Sequence, residues 1–203
     1  MAIPSDTVDV YGVGDFGQRL AASLAAGGIA VRSFVDRRTP AARFDAPFRS
    51  LDSVENWDLP VVLGICNPQV DIVTLAGRLR RRGAQHVLSP VSAAIELHGR
   101  GTSIENYWLT GDVDLYVREA EAIQSARASL ADAKSQAVFD SILRYRSSGD
   151  LGALRKPEAL ADQYSPADIP FVTDRMRYVD AGAFDGDTIR ALRGRSCDVE
   201  GLI

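Results

Sequence analysis

The sequence predicts an α/β protein built from parallel-sheet units, and three observations carry that prediction. Twice a short apolar strand candidate runs directly into a glycine-punctuated turn and then a helical repeat, at Val8–Tyr11 and again at Met176–Val179. Between them Pro60–Ile65 is the clearest buried strand in the chain, and it too opens onto a helix. Strands alternating with helices in this way specify a parallel sheet with crossover connections. The expected organisation is a Rossmann-like parallel-sheet domain over residues 1–100 and a mainly helical connector over 101–176. The first strand-loop-helix of a second Rossmann-like domain follows over 177–203.

The first unit begins with Val8–Tyr11, which leads into Gly12-Val13-Gly14-Asp15-Phe16-Gly17. Phe16, Leu20 and Leu24 then recur every fourth residue, the repeat of one helix face, and the helix is expected to stop at Gly27-Gly28. Ile29 to Val35 reads as a second strand, closed by Asp36. Strand, glycine loop, helix, strand and terminal acid together form the context that raises GxGxxG above chance. Gly12 permits the tight turn, Gly14 lets a ligand approach, and Gly17 lets the helix lie against the sheet. Backbone N–H groups at that helix start suit a phosphate, and the Asp36 carboxylate suits a ribose diol.

Two residues pull the other way. Asp15 sits inside the loop, where its carboxylate would repel a bound pyrophosphate while capping the helix by itself. Arg37 and Arg38 either meet a phosphorylated ribose or are simply solvated. The loop therefore serves a nucleotide or nucleotide-sugar, or it belongs to a unit that keeps the fold without the ligand. Fold does not decide between them.

After Pro60–Ile65, Cys66-Asn67-Pro68 turns the chain into a helix predicted from about Gln69 to Arg82. Its end carries Arg78, Arg80, Arg81 and Arg82, which the helix dipole explains without a binding role. His86–Leu88 is the next strand and Pro90–His98 a closing helix. Neither His86 nor His98 has an Asp, Glu or Cys cluster beside it in sequence, so no metal site is expected. In the connector, Leu115 to Tyr145 is helical in character, but the irregular apolar spacing predicts a break or two shorter helices. These helices pack on their own domain, on the second one or on another subunit, and the sequence does not choose among the three. Pro157, Pro166 and Pro170 then punctuate the approach to the second unit, and Tyr164 either stacks on a ligand or packs.

The chain has 203 residues, 46% of them hydrophobic and 25% charged, an ordinary globular balance. A formal net charge of −4 offers nucleic acid no general attraction. No apolar run is long enough to cross a bilayer and no leader pattern opens the sequence, so a soluble, cytoplasmic protein is expected. Cys66 and Cys197 lack ligand spacing and read as isolated thiols.

In the second unit the strand ends at Asp180, and Gly182 and Gly186 precede a helix that begins near Ile189. This arrangement lets backbone approach the amino-acid end of S-adenosylmethionine (SAM). Asp180 would contact the cofactor's polar end, Gly182 and Gly186 make room for it, and Thr188 caps the helix or bonds the ligand. The stretch Tyr-Val-Asp-Ala-Gly-Ala-Phe-Asp-Gly-Asp-Thr-Ile-Arg-Ala-Leu at 178–192 resembles the first motif of the FkbM family of SAM-dependent methyltransferases. The segment Gln163 to Ile169, the helices from Ala120 to Arg146 and the Gly12–Gly17 start resemble two-part members with a Rossmann-like N-terminal domain.

The resemblance implies transfer of a methyl group from SAM to a hydroxyl oxygen of a sugar, polyketide or other small metabolite. Asp180, Gly182, Phe184, Gly186 and Thr188 are then the cofactor residues, and no residue is assigned to the acceptor. It also implies an acid at the end of the following strand to hold the ribose. Gly201-Leu202-Ile203 is expected to begin that strand, so the methyltransferase domain is read as truncated and this chain as inactive alone. Without that partner, the strand at 176–179 is expected to pair with the first unit or another chain, or to stay mobile. The alternative is a non-catalytic nucleotide-binding or assembly module. A nicotinamide-dependent oxidoreductase, read from the first glycine loop alone, lacks a Tyr/Lys or His/Asp catalytic arrangement.

Overall fold

The computed structural model describes residues 3–37, 46–67, 69–104, 106, 109–155, 175–182, 185–193 and 198–202. The chain divides into two compact units, Met1–Arg155 and Lys156–Ile203. The first holds β1 (Thr7–Tyr11), α1 (Asp15–Ala26), β2 (Ala30–Asp36), β3 (Phe48–Ser50), β4 (Val61–Leu63), α2 (Ile72–Arg81), β5 (Val87–Leu88) and α3 (Pro90–Gly99). It continues through α4 (Asp114–Arg118), α5 (Ala120–Ala128) and α6 (Ala133–Ser148). The five strands lie in the order β3-β2-β1-β4-β5, and every pairing is parallel. Strand order reverses direction at β1, so β1 and β4 flank the topological switch point where doubly wound sheets take their ligands.

Side-chain alternation along the strands builds two cores. Val8, Val10, Phe34, Val62 and Leu88 face α1 and α3, where Leu20, Leu24 and Leu97 complete a layer that is almost wholly buried. Tyr11, Val35, Val61, Leu63 and Val87 face the other way, against Ala76 and Leu79 of α2. Burying a leucine fully contributes about 2 kcal/mol, so Leu20, Leu24 and Leu79 are what fix α1 and α2 on opposite faces. Caps set the helix starts: Asp71 accepts from Thr74 N, Ser89 from Ser92 N, and Asp132 from Ser135 N.

The first unit runs well past the boundary expected at residue 100. Expected breaks in the 115–145 region fall at Glu119 and at 129–132, giving α4, α5 and α6. The segment that follows is bound to the sheet rather than spanning a gap. Leu151 enters the core on the α2 side, and the hydroxyls of Ser89 and Ser92 both donate to Gly149 O, at 2.7 and 2.9 Å. Those serines stand at the start of α3, so α3 and the end of α6 are held by one buried carbonyl. β3 has no counterpart in the sequence reading. Among the described residues no helix is long and apolar enough to cross a membrane.

The second unit contains β6 (Arg175–Tyr178), α7 (Asp187–Arg193) and β7 (Asp198–Leu202), and β6 pairs with β7 in parallel. This corrects the expectation that the first of these strands would have to find a partner elsewhere. The next strand begins earlier than Gly201, at Asp198, and supplies the backbone partners itself.

The double serine grip on Gly149 makes a stability prediction. Replacing Ser89 and Ser92 together by alanine leaves a buried carbonyl without donors and removes the α3 cap. Urea denaturation is expected to show a loss of about 2–3 kcal/mol. A loss below about 0.5 kcal/mol would mean that residues 149–155 do not depend on that contact.

Candidate functional site

The first glycine turn is assembled by close backbone approach. Gly12 has φ +113°, in the left-handed region, and a Cβ there would stand 2.8 Å from Gly64 O. A Cβ on Gly17 would overlap the carbonyl oxygen of Gly12. One on Gly64, just after β4, would lie 2.9 Å from Gly17 Cα. Loop, helix start and the end of β4 therefore meet as three glycines, with Gly64 N donating to Tyr11 O at 2.7 Å. Gly14 differs. It is exposed, its φ is −68°, and nothing lies within 4 Å of a Cβ placed on it. Neither a positive φ nor packing asks for glycine there; Gly14 is the N-cap of α1, a position that favours glycine over alanine, and it faces open space.

Asp36 ends β2 as expected, and its carboxylate reaches back to the turn. Oδ2 accepts from Val13 N at 3.2 Å and Oδ1 from Arg37 N at 2.6 Å. The acid proposed for a ribose thus also anchors the glycine loop. Asp15 does not cap α1. It is the first helical residue, the N-cap is Gly14, and no side chain bonds the helix start. Among the described residues the start of α1 keeps no side-chain cap. Burial, and then the negative charge of Asp36, hold the Tyr11 phenol above its usual range. Arg38 lies outside the described residues.

Beside this turn a cavity of about 550 Å3 opens at the carboxyl end of β4. Ile65, whose Cγ1 is the second neighbour of Gly12, is on its wall together with Cys66, Asn67, Tyr145 and Arg146. Tyr145 and Arg146 come from α6, and burial pushes the Tyr145 phenol up. Sequence reasoning missed both residues as part of this crevice, because nothing in residues 133–148 marks which turn of the helix meets the sheet.

The second turn leaves β6 through Asp180. Gly182 has φ +131° and Gly186 φ +80°, so both hold conformations that side chains resist, and nothing lies within 4 Å of a Cβ at Gly182. Asp185 fastens the far side of the turn, accepting from Asp187 N at 3.1 Å and pairing with Arg190 at 3.0 Å. Thr188 is buried as the second residue of α7, and its N–H goes to Asp187 Oδ1 at 2.9 Å. That placement rules out Thr188 as the cap, because α7 has already begun at Asp187. Asp180 Oδ2 is buried and has no hydrogen-bond partner among the described residues. Phe184, Tyr164 and Cys197 lie outside the described residues.

The predicted residues form two separate groups, one in each unit. His98 Nε2 lies 4.0 Å from Asp112 Oδ1 on an exposed surface. Among the described residues no three His, Cys, Asp or Glu gather as a metal site would require.

Two glycine-turn α/β units, the first with a nucleotide-type switch point, place the chain among Rossmann-like proteins. Its fold is similar to that of an FkbM methyltransferase. The crystal structure of methyltransferase FkbM from Methylobacillus flagellatus matches 97% of this chain, with a TM-score of 0.65 and 19% identity. The match covers 54% of that protein, so the chain spans about half its length. No family model and no curated protein matches the sequence.

The glycines sort by substitution. Gly17→Ala drives a methyl group into backbone and is expected to cost about 3 kcal/mol, whereas Gly14→Ala gives up only glycine's advantage at an N-cap and is expected to cost about 1 kcal/mol or less. Thermal and urea unfolding of the two variants check this. Equal destabilisation would remove the distinction between the two positions.

Proposed function

We propose that this chain provides the accessory domain and the opening of the cofactor site of a SAM-dependent methyltransferase. Its acceptor is a hydroxyl oxygen on a sugar, polyketide or other small metabolite. The observation that carries this reading is Asp180 Oδ2, buried at a strand end without a partner among the described residues, beside the open space over Gly182. A buried carboxylate oxygen left unpaired is costly, and a donor or cationic group of a ligand would offset that cost. The likeness to the FkbM methyltransferase fold supports the same reading.

These residues fit the methionyl end of SAM. Asp180 would hold a polar group there, Gly182 and Gly186 would keep the backbone clear, and buried Thr188 fixes the start of α7 against the turn. When bound, SAM supplies a methyl group made electrophilic by the adjacent sulfonium. The chain's own contribution at this turn is orientation, since holding two reactants in line lowers the barrier without any proton being moved. None of the assigned residues supplies the acceptor pocket or a general base.

A second reading concerns the first unit, and Gly14 favours it. Open space over Gly14, the uncapped start of α1 and the loop anchored by Asp36 suit the phosphate of a nucleotide or nucleotide-sugar. On this reading the unit is a binding module. The exposed Val117, Val138 and Ile142 on α4 and α6 would then serve contacts between subunits in a homo-oligomer.

Calorimetric titration separates these readings. SAM is expected to bind a chain extended through a full second sheet. That binding should be lost on Asp180→Ala or Gly182→Asp. The 203-residue chain should bind SAM weakly or not at all and transfer no methyl group. Micromolar binding to the 203-residue chain, or an extended protein indifferent to both substitutions, would sink the assignment. A panel of nucleotides and nucleotide-sugars tests the second reading, with Gly14→Asp expected to abolish any heat. A folded protein that binds none of them rules that reading out.

A further inference from the structure

α6 follows the last strand of the first sheet and belongs to none of its crossovers, yet it walls the crevice at the carboxyl end of β4. That crevice, at about 550 Å3, lies within the range of about 300–1,000 Å3 common for small-molecule sites. It opens at the switch point between β1 and β4, where doubly wound sheets take their ligands. Ile65 joins it to the glycine turn, since Ile65 Cγ1 lies 2.9 Å from a Cβ placed on Gly12.

The walls decide what the crevice can hold. Ile65, Val91 of α3, Leu109 and Ile142 of α6 help to make it predominantly apolar. Polar groups on the wall are occupied within the protein. Asn67 Oδ1 accepts from Gln69 N at 2.9 Å, Arg146 Nε donates to the Tyr116 hydroxyl at 3.4 Å, and the Tyr145 hydroxyl is engaged with Ser89 and Val91. A sugar or a free phosphate would be stripped of water there and find few partners in exchange, which is costly. An aromatic base has apolar faces that stack on side chains without hydrogen bonds. Ile142 supplies a separate signal: it stands on this wall with 47% of its surface exposed, and a ring laid against it would take that surface out of water.

We propose that the crevice takes the aromatic base of a nucleotide, held between the end of β4 and the Ile142 and Tyr145 side of α6. The assignment rests on the binding-module reading of the first unit and narrows it. The base enters the crevice, the sugar of a nucleotide-sugar does not, and selection falls to a helix outside the α/β repeat.

The test is calorimetry on the 203-residue chain with ADP, UDP, their nucleosides adenosine and uridine, and ribose 5-phosphate, which has sugar and phosphate but no base. Cys66 is exposed on the crevice wall, so in a Cys197→Ser background its rate of modification by a thiol reagent reports occupancy. At least one nucleotide is expected to bind and to slow modification of Cys66, with ribose 5-phosphate weaker by about tenfold or more. Ile142→Asn should weaken nucleotide binding about tenfold, while Val117→Asn, the control on exposed α4 away from the crevice wall, should leave it unchanged. Both positions are exposed, and the circular dichroism spectrum should not change. Nucleotides and ribose 5-phosphate that bind alike and ignore Ile142→Asn overturn the proposal and leave the phosphate reading of the first unit standing. Nucleosides that bind and protect Cys66 as well as their nucleotides do keep the crevice assignment and remove the phosphate reading. Absence of binding by every compound overturns both, and nucleotide binding that leaves Cys66 equally reactive overturns the crevice assignment.

Discussion

The first unit depends on a contact that no side chain could make. Gly12, Gly17 and Gly64 bring the turn after β1, the first turn of α1 and the end of β4 to within the thickness of a missing methyl group. Such an approach pulls α1 down onto the sheet at its switch point and fixes the angle at which the helix leaves. The placement of Leu20 and Leu24 in the core follows from that angle. So does the position of the helix start relative to Asp36, whose carboxylate then needs only one backbone N–H, that of Val13, to hold the loop. A steric constraint at the centre thus becomes a geometric one at the rim.

The second unit repeats the device with different chemistry. Its turn is held by charge, with Asp185 between Arg190 and the N–H of Asp187, rather than by interlocked glycines. What the two turns share is a glycine over open space, Gly14 in one and Gly182 in the other. The difference lies in what stands nearby: Asp36 is engaged in holding backbone, while Asp180 keeps a buried oxygen without a partner among the described residues. Unspent hydrogen-bonding capacity is a sharper mark of a ligand than the glycine spacing itself.

Much of the fold was legible because it rests on local patterns. β1, β2, β4 and the helices after them announce themselves by apolar runs, the Leu20/Leu24 repeat and glycine punctuation. β3 did not, because Phe48-Arg49-Ser50 is too short to alternate and lies on the sheet's edge. β7 was seen only at its end, since Asp198-Val199-Glu200 is not an apolar run. The site was legible in its backbone but not in its polar accounting. Spacing alone could not tell that Gly17 is demanded by packing and Gly14 is not, nor that Asp15 leaves the helix uncapped. Asp9 was hidden for the opposite reason: an acid in an apolar strand reads as an interruption until Arg32 and Ser33, 23 and 24 positions on, are seen to meet it.

The grip of Ser89 and Ser92 on Gly149 bears on how the first unit can be excised for study. A cut after α3, where the strands and their covering helices are all in hand, would yield a piece that looks whole by its strand count. It would lack Leu151 from one core, Tyr145 and Arg146 from the wall of the switch-point crevice, and the carbonyl that occupies both serine hydroxyls. Such a piece would display an apolar scar beside two thirsty donors, and it would invite self-association unrelated to the native protein's assembly. The natural seam for an expressible first unit is therefore Arg155.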